Sequence, residues 1–335
     1  MRHLFVLLAV IALLVMSGGD AYGTKPGPGT STGSGRVFFP NPVAQLQDQT
    51  LTDQKDADYA ALQPAYRVQT LTNLDGSGFL RGEWAVIVSE TGNPAYSPTN
   101  SFIYNRTQDE FEQVMAYYWI TEAQKYIQRL GFGSTLRAIN KEPQRIRINQ
   151  WGADNSFATT HKDELRFGKG GVDDAEDAEV ILHEYGHAIH FSQNFSFASV
   201  EAGAISEGFS DYWAVTVTQV ISPTADPACV ADWDSVSYTV RVPHCLRRVD
   251  SDLHYPENLV GQVHADGRIW SRALWDIRNS IGNVKADTVI LEGQFDFPGT
   301  TMTALATSTV AAAQRLYGSQ TANKVRDAFV ARGIL

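Results

Sequence analysis

The chain has 335 residues, 43% of them hydrophobic and 19% charged, with a formal net charge of −10. That length and apolar content support at least one large buried core and exclude disorder, collagen and coiled coil as global descriptions. No Lys/Arg run exceeds the pair Arg247-Arg248, so the basic footprint of a nucleic-acid binder is missing.

In chain order, Arg2 and His3 precede an apolar run from Leu4 to Val15 and the small-residue end Ala21-Tyr22-Gly23. This pattern predicts a secretory signal peptide over residues 1–23, too short in its apolar run to serve comfortably as a membrane anchor. The expected localisation is secreted, with no membrane association after signal removal. Residues 24–35, made of Thr, Lys, Pro, Gly and Ser, read as a flexible linker. Gly29-Thr30-Ser31-Thr32-Gly33 matches the serine-hydrolase elbow in letters only, because no strand or helix pattern flanks it.

Residues 36–105 read as β-rich, with strands at 66–71 and 83–88 around the turn Asp75-Gly76-Ser77-Gly78. They form a propeptide or an N-terminal extension of the mature protein. A long helix follows, with Thr107 and Glu110 as its capping box and a stripe from Phe111 to Leu130 that ends at Gly131. The alternation at 145–148 and 164–167 predicts two more strands. Acidic Asp173-Asp174 marks the start of a helix reaching about Phe191, and a second helix covers about 204–220.

Residues 222–262 hold four prolines and the chain's only two cysteines, Cys229 and Cys245. An even pair in an exported chain predicts one disulfide pinning an irregular loop. Further helices are predicted from Asp266, as cap, to Ile281 and from Thr321 to about Arg332. These divide the chain into an α+β lobe at 106–195 and a mainly helical lobe at 196–335.

His183-Glu184-Tyr185-Gly186-His187 places two histidines four apart on one helix face, a spacing that lets both bind one zinc ion with Glu184 beside it. The metzincin pattern asks for a glycine and then a histidine where this chain has His190 and Gln193, so a third ligand must come from elsewhere. His190 itself lies one turn beyond His187 and is expected to pack or hydrogen-bond nearby. Glu207 is the best third ligand, and Asp211, four residues on, is suited to accept the Nδ1 proton of a ligand histidine.

With these residues the chain resembles the gluzincin zinc metallopeptidases, specifically the thermolysin-like and fungalysin-type peptidases. The resemblance rests on His183-Glu184-x-x-His187, Glu207 with Ser210-Asp211 after it, Val263-His264-Ala265-Asp266-Gly267 and the closing helix around 322–329. It implies an α+β fold, a β-rich N-terminal lobe and a mainly α-helical C-terminal lobe with the zinc-binding helix between them. It further implies that His183, His187 and Glu207 hold one catalytic Zn2+ and that Glu184 is the general base. His264 would donate to the oxyanion and Arg247 would brace the substrate carbonyl. Leu246 and Val180 would line an apolar pocket for the residue after the scissile bond, and Asn155 on an edge strand would hold extended peptide. Ala198 stands where the family has a tyrosine.

The acids Asp173, Asp174, Glu176, Asp177 and Glu179 allow Ca2+ without supporting it, since Thr218 replaces one family carboxylate and helix electrostatics explains them equally well. The expected partners are polypeptide substrates, with the protein a monomer. Two other readings are a secreted binding or adhesion module with a structural metal and a zinc exopeptidase. Glu184 has no use in the first, and the sequence identifies no acid to hold a free amine for the second.

Overall fold

The computed structural model describes residues 31–88, 91–295, 297 and 299–335; the signal peptide and residues 24–30 of the linker lie outside this range. The elements are β1 (Ser31–Phe38), α1 (Pro42–Leu46), β2 (Tyr66–Leu74), β3 (Ala85–Ile87), β4 (Ser101–Phe102), α2 (Asp109–Arg129), β5 (Gln144–Arg147), β6 (Phe157–Thr159) and β7 (Glu164–Arg166). They continue as α3 (Ala178–Ser192), α4 (Val200–Ile221), β8 (Cys229–Val230), β9 (Arg247–Arg248), α5 (Val263–Ile281), α6 (Asn283–Gln294), α7 (Met302–Tyr317) and α8 (Ser319–Ala331). Sheets therefore occupy the N-terminal part and helices the C-terminal part, an α+β fold.

The first sheet has the order β2-β1-β4 and the second β3-β5-β7-β6. In the second, β5 and β7 run parallel with Ile146 opposite Leu165, and β6 closes the sheet as an antiparallel edge. Helix α2 packs against β1, the second sheet and α3. Its residues Phe111, Val114, Met115, Trp119, Ile120 and Ile127 are fully buried, so the helix is apolar on more than one face because it is covered on more than one side. Helix α4 then packs on both α3 and α5, and α8 closes on α5.

Four local expectations change. Residues 31–35 are strand, not linker: β1 pairs with β2 from Ser31 to Phe38. A Cβ on Gly33 would lie 2.3 Å from the Asn100 carbonyl oxygen, and one on Gly35 would lie 2.6 Å from Val114 Cγ1. The glycines there serve close packing rather than flexibility. Helix α2 begins without a capping box, because the Thr107 hydroxyl donates to Asn105 Oδ1 (2.7 Å) and Gln108 is the N-cap without a side-chain bond.

Residues 174–176 form a separate 3-10 turn, and α3 starts only after Asp177, whose carboxylate accepts the Glu179 N–H at 2.9 Å. Helix α5 starts three residues earlier than Asp266, capped by Gln262, while the Asp266 carboxylate accepts N–H bonds from Val260 (2.8 Å) and Gly261 (2.9 Å). In each case a side chain found a nearer main-chain or loop partner than the motif required.

Candidate active site

One turn of α3 separates His183 from His187, and their rings stand 4.9 Å apart and near perpendicular at 87°. Glycines allow the neighbouring helices to come close. A Cβ on Gly186 would sit 2.8 Å from Ser210 Cα, so α3 and α4 cross almost backbone to backbone. A Cβ on Gly208 would sit 2.2 Å from the Gly267 carbonyl oxygen, which sets the first turn of α5 beside Glu207. These crossings bring His183, His187, Glu207, Asp211 and His264 together from three helices.

Glu207 Oε2 lies 3.3 Å from His183 Nε2 and 3.3 Å from His264 Nε2, and Oε1 lies 3.6 Å from His187 Nε2. One donor atom from each of His183, His187 and Glu207 falls within 4.8 Å of the others. Glu207 Oε2 is buried with no hydrogen bond in line, facing imidazole nitrogens. Two imidazoles and a carboxylate converging in this way fit a three-ligand zinc site with a fourth position open.

The outer ring nitrogens are also held. His183 Nδ1 lies 2.9 Å from Asp211 Oδ1, and His187 Nδ1 lies 2.8 Å from Ser206 Oγ. Ser206 also meets His190 Nδ1 at 2.9 Å, with the His190 ring stacked between Phe195 and Phe209. His190 is thus a packed core histidine supporting its neighbour, as expected from its place on the helix. Ser206 was not singled out by the sequence, although it directly precedes Glu207.

The charges of the site oppose one another. Burial disfavours ionised Glu207, but His183 and His187 hold its pKa at about 2. Burial likewise disfavours ionised Asp211, and Arg247 and His183 outweigh that, holding it below the usual carboxylate range. Burial lowers the His187 pKa to about 4, whereas on His183 the facing carboxylates of Asp211 and Glu207, which accept from its ring, overcome burial and raise it to about 10. Glu184, also buried, is pushed up to about 7 by its loss of solvent, helped by Glu207 and resisted by His183 and Arg247. His264 is half exposed; burial lowers its pKa from the ordinary value.

Beside this cluster opens a cavity of about 230 Å3, lined by Asn155, Val180, Glu184, Leu246, Arg247 and His264 among others. Arg247 lines the cleft, and its Nε and Nη2 each donate to a different Asp211 oxygen. The pocket beyond Val180 and Leu246 is not purely apolar, because Asp174, Asp234 and Tyr238 also line it. Asp234 and Tyr238 come from the irregular loop, where no periodicity marks them.

That loop is shaped by the Cys229–Cys245 disulfide, with a Cα–Cα distance of 5.3 Å, and by the β8–β9 pair, in which Val230 faces Arg247. The Leu246 N–H donates to the Val230 carbonyl at 2.9 Å, which fixes Leu246 on the cavity wall. Two of the acids that allowed calcium have protein donors. Glu179 accepts from Thr218 Oγ1 (2.9 Å) and the Ala231 N–H (2.7 Å), and Glu176 accepts from Arg106 Nε at 3.0 Å on both oxygens.

Among known proteins, residues 168–330 match the family described as fungalysin metallopeptidase (M36). The chain is similar in structure to the precursor of protealysin, a metalloproteinase from Serratia proteamaculans, with a TM-score of 0.59 and 17% identity over 90% of this chain and 99% of that one. At that identity the likeness speaks for the fold. No curated protein matches the sequence. The chain thus resembles the fungalysin-type and thermolysin-like peptidases, and it is a metalloendopeptidase of the zinc-dependent class.

Proposed function

We propose that this protein is a secreted endopeptidase in which His183, His187 and Glu207 hold a single Zn2+ and Glu184 is the general base. The convergence of those three donors beside a buried, otherwise unengaged Glu184 oxygen carries the reading. When bound, zinc acidifies water and polarises the substrate carbonyl. Glu184, a buried carboxylate beside the donor set, suits a group that takes a proton from water and returns it to the leaving amine. His264, on the rim and 50% exposed, is free to turn its Nε2–H toward a developing oxyanion, a contribution commonly of about 3 kcal/mol.

Asp211 and Ser206 hold the two ligand rings, and Arg247 holds Asp211. The open edge of β6, next to Asn155 and packed on α3, offers a strand for an extended peptide to join. Val180 and Leu246 supply an aliphatic wall for the side chain of the residue that contributes the amine. Among the described residues no helix is long and apolar enough to cross a membrane.

The test is hydrolysis of an unfolded protein substrate by purified protein, with and without a chelator, followed by zinc add-back. Loss and recovery of internal cleavage, at one zinc per chain, is the expected result. Chelator-resistant cleavage, or release of terminal residues only, would refute it.

A further inference from the structure

Beside the active-site cavity, with Asp174 and Asp234 on its lining, three carboxylates meet: one oxygen from each of Asp154, Asp174 and Asp234 lies within 4.8 Å of the others. Asp174 and Asp234 are only 2% and 3% exposed, and each has an oxygen, Oδ1, that is buried with no hydrogen-bond partner. Tyr238 Oη donates to Asp154 Oδ1 at 2.5 Å, and Ser156 Oγ donates to Asp174 Oδ2. One oxygen of each of these two acids is thus capped, while Asp174 and Asp234, each with an orphaned oxygen, line the cavity.

We infer that this acidic floor binds the side chain of a lysine or arginine on the residue that follows the scissile bond. The inference rests on the peptidase reading above and assigns its substrate class. Its place relative to the cut follows from Glu184, which lines the same cavity and serves the leaving amine; Val180, on the turn of α3 before His183, lines it too. A long basic side chain suits a pocket that has both aliphatic and acidic walls. Val180 and Leu246 cover the methylene stem, and the carboxylates take the charged end.

Uncompensated buried carboxylates are costly, so a ligand that neutralises them gains much of that penalty back. The pKa directions agree: burial foremost, then the charges of neighbouring acids, raises Asp234 and Asp174. A hard metal ion fits less well. The cavity joining these acids to Glu184 has aliphatic walls, and the Tyr238 and Ser156 hydroxyls already point their protons at the carboxylates, whereas calcium asks for a shell of oxygen lone pairs.

The experiment measures kcat/KM of the zinc-loaded protein on peptides differing only in the residue after the cut bond: Arg, Lys, Leu or Glu. Arg and Lys should exceed Leu by about tenfold or more, and Asp234→Asn and Asp174→Asn should each erase most of that ratio. Leu equal to or better than Arg, or equal loss on all four peptides in both variants, would overturn the assignment. Calcium uptake by the parent that Asp234→Asn abolishes, with no change in side-chain preference, would overturn it in favour of an ion site.

Binding of the same peptides to zinc-loaded Glu184→Gln, followed by fluorescence anisotropy, separates this assignment from the catalytic one. Arg-selective binding lost on adding Asp234→Asn supports the pocket even if the parent cuts nothing. Cleavage without any basic preference refutes the pocket and leaves the peptidase standing.

Discussion

Arg247 and Asp211 form a bidentate pair, with Nε and Nη2 each 2.7 Å from a separate carboxylate oxygen, and Asp211 Oδ1 lies 2.9 Å from His183 Nδ1. The residue expected to brace substrate is thus also held against the acid that backs His183. Arg247→Ala leaves Asp211 buried with His183 as its remaining partner, and breaking such a pair costs about 3 kcal/mol or more. Arg247→Lys should recover little, since an ammonium cannot reproduce the two-pronged contact. Urea unfolding of the metal-free proteins checks this. Unchanged stability together with a large fall in kcat/KM would return Arg247 to the substrate.

Glu184→Gln should keep zinc at the parent's stoichiometry and lower peptide hydrolysis by orders of magnitude, because the amide cannot accept the proton from water. Metal analysis and initial rates on one preparation decide it. Activity close to the parent's would remove Glu184 as the base.

Glu207→Ala should abolish tight zinc binding, leaving two imidazoles. Asp211→Asn should weaken zinc affinity by about 10- to 100-fold, as usual for a group that orients a ligand ring. Competition against a chromophoric chelator measures both. Normal zinc binding by Glu207→Ala would show that the three-donor set has been misassigned.

The acidic pocket has a consequence for stability against pH. The folded protein raises the Asp174 pKa to about 7, first through burial and then through Asp154 and Glu184. In the unfolded chain the group ionises near pH 4, so from there to about pH 7 the unfolded state sheds protons first and stability falls as pH rises. Asp174→Asn removes that component. At pH 8 the variant should be more stable than the parent by on the order of 2 kcal/mol, while near pH 4 the two should agree. Thermal unfolding of the metal-free proteins at both pH values tests the sign. A variant less stable than the parent at pH 8 would mean that Asp174 is already compensated in the fold.

The His183-Glu184-x-x-His187 pattern was legible because its spacing is local. Helical geometry alone puts His183 and His187 on one face, and it also puts Glu207 and Asp211 one turn apart on the next helix. The long apolar stripe of α2, the strands at 144–147 and 164–166 and the disulfide followed from patterns short enough to read along the chain. Tertiary packing decided the rest. Residues 31–35 look like linker until Asn100 and Val114 are found against their glycines, and only the close crossings at Gly186 and Gly208 bring His183, His187 and Glu207 to His264 on α5. Arg247 turned to Asp211 because both are buried, where an unpaired charge is costly. Asp154, Asp174 and Asp234 are separated by 20 and 60 positions, and no local period links them. They meet because the disulfide-pinned loop packs on residues 154 and 172 through Tyr238 and Ser237, and the pocket's charge is therefore a property of the fold rather than of any one segment.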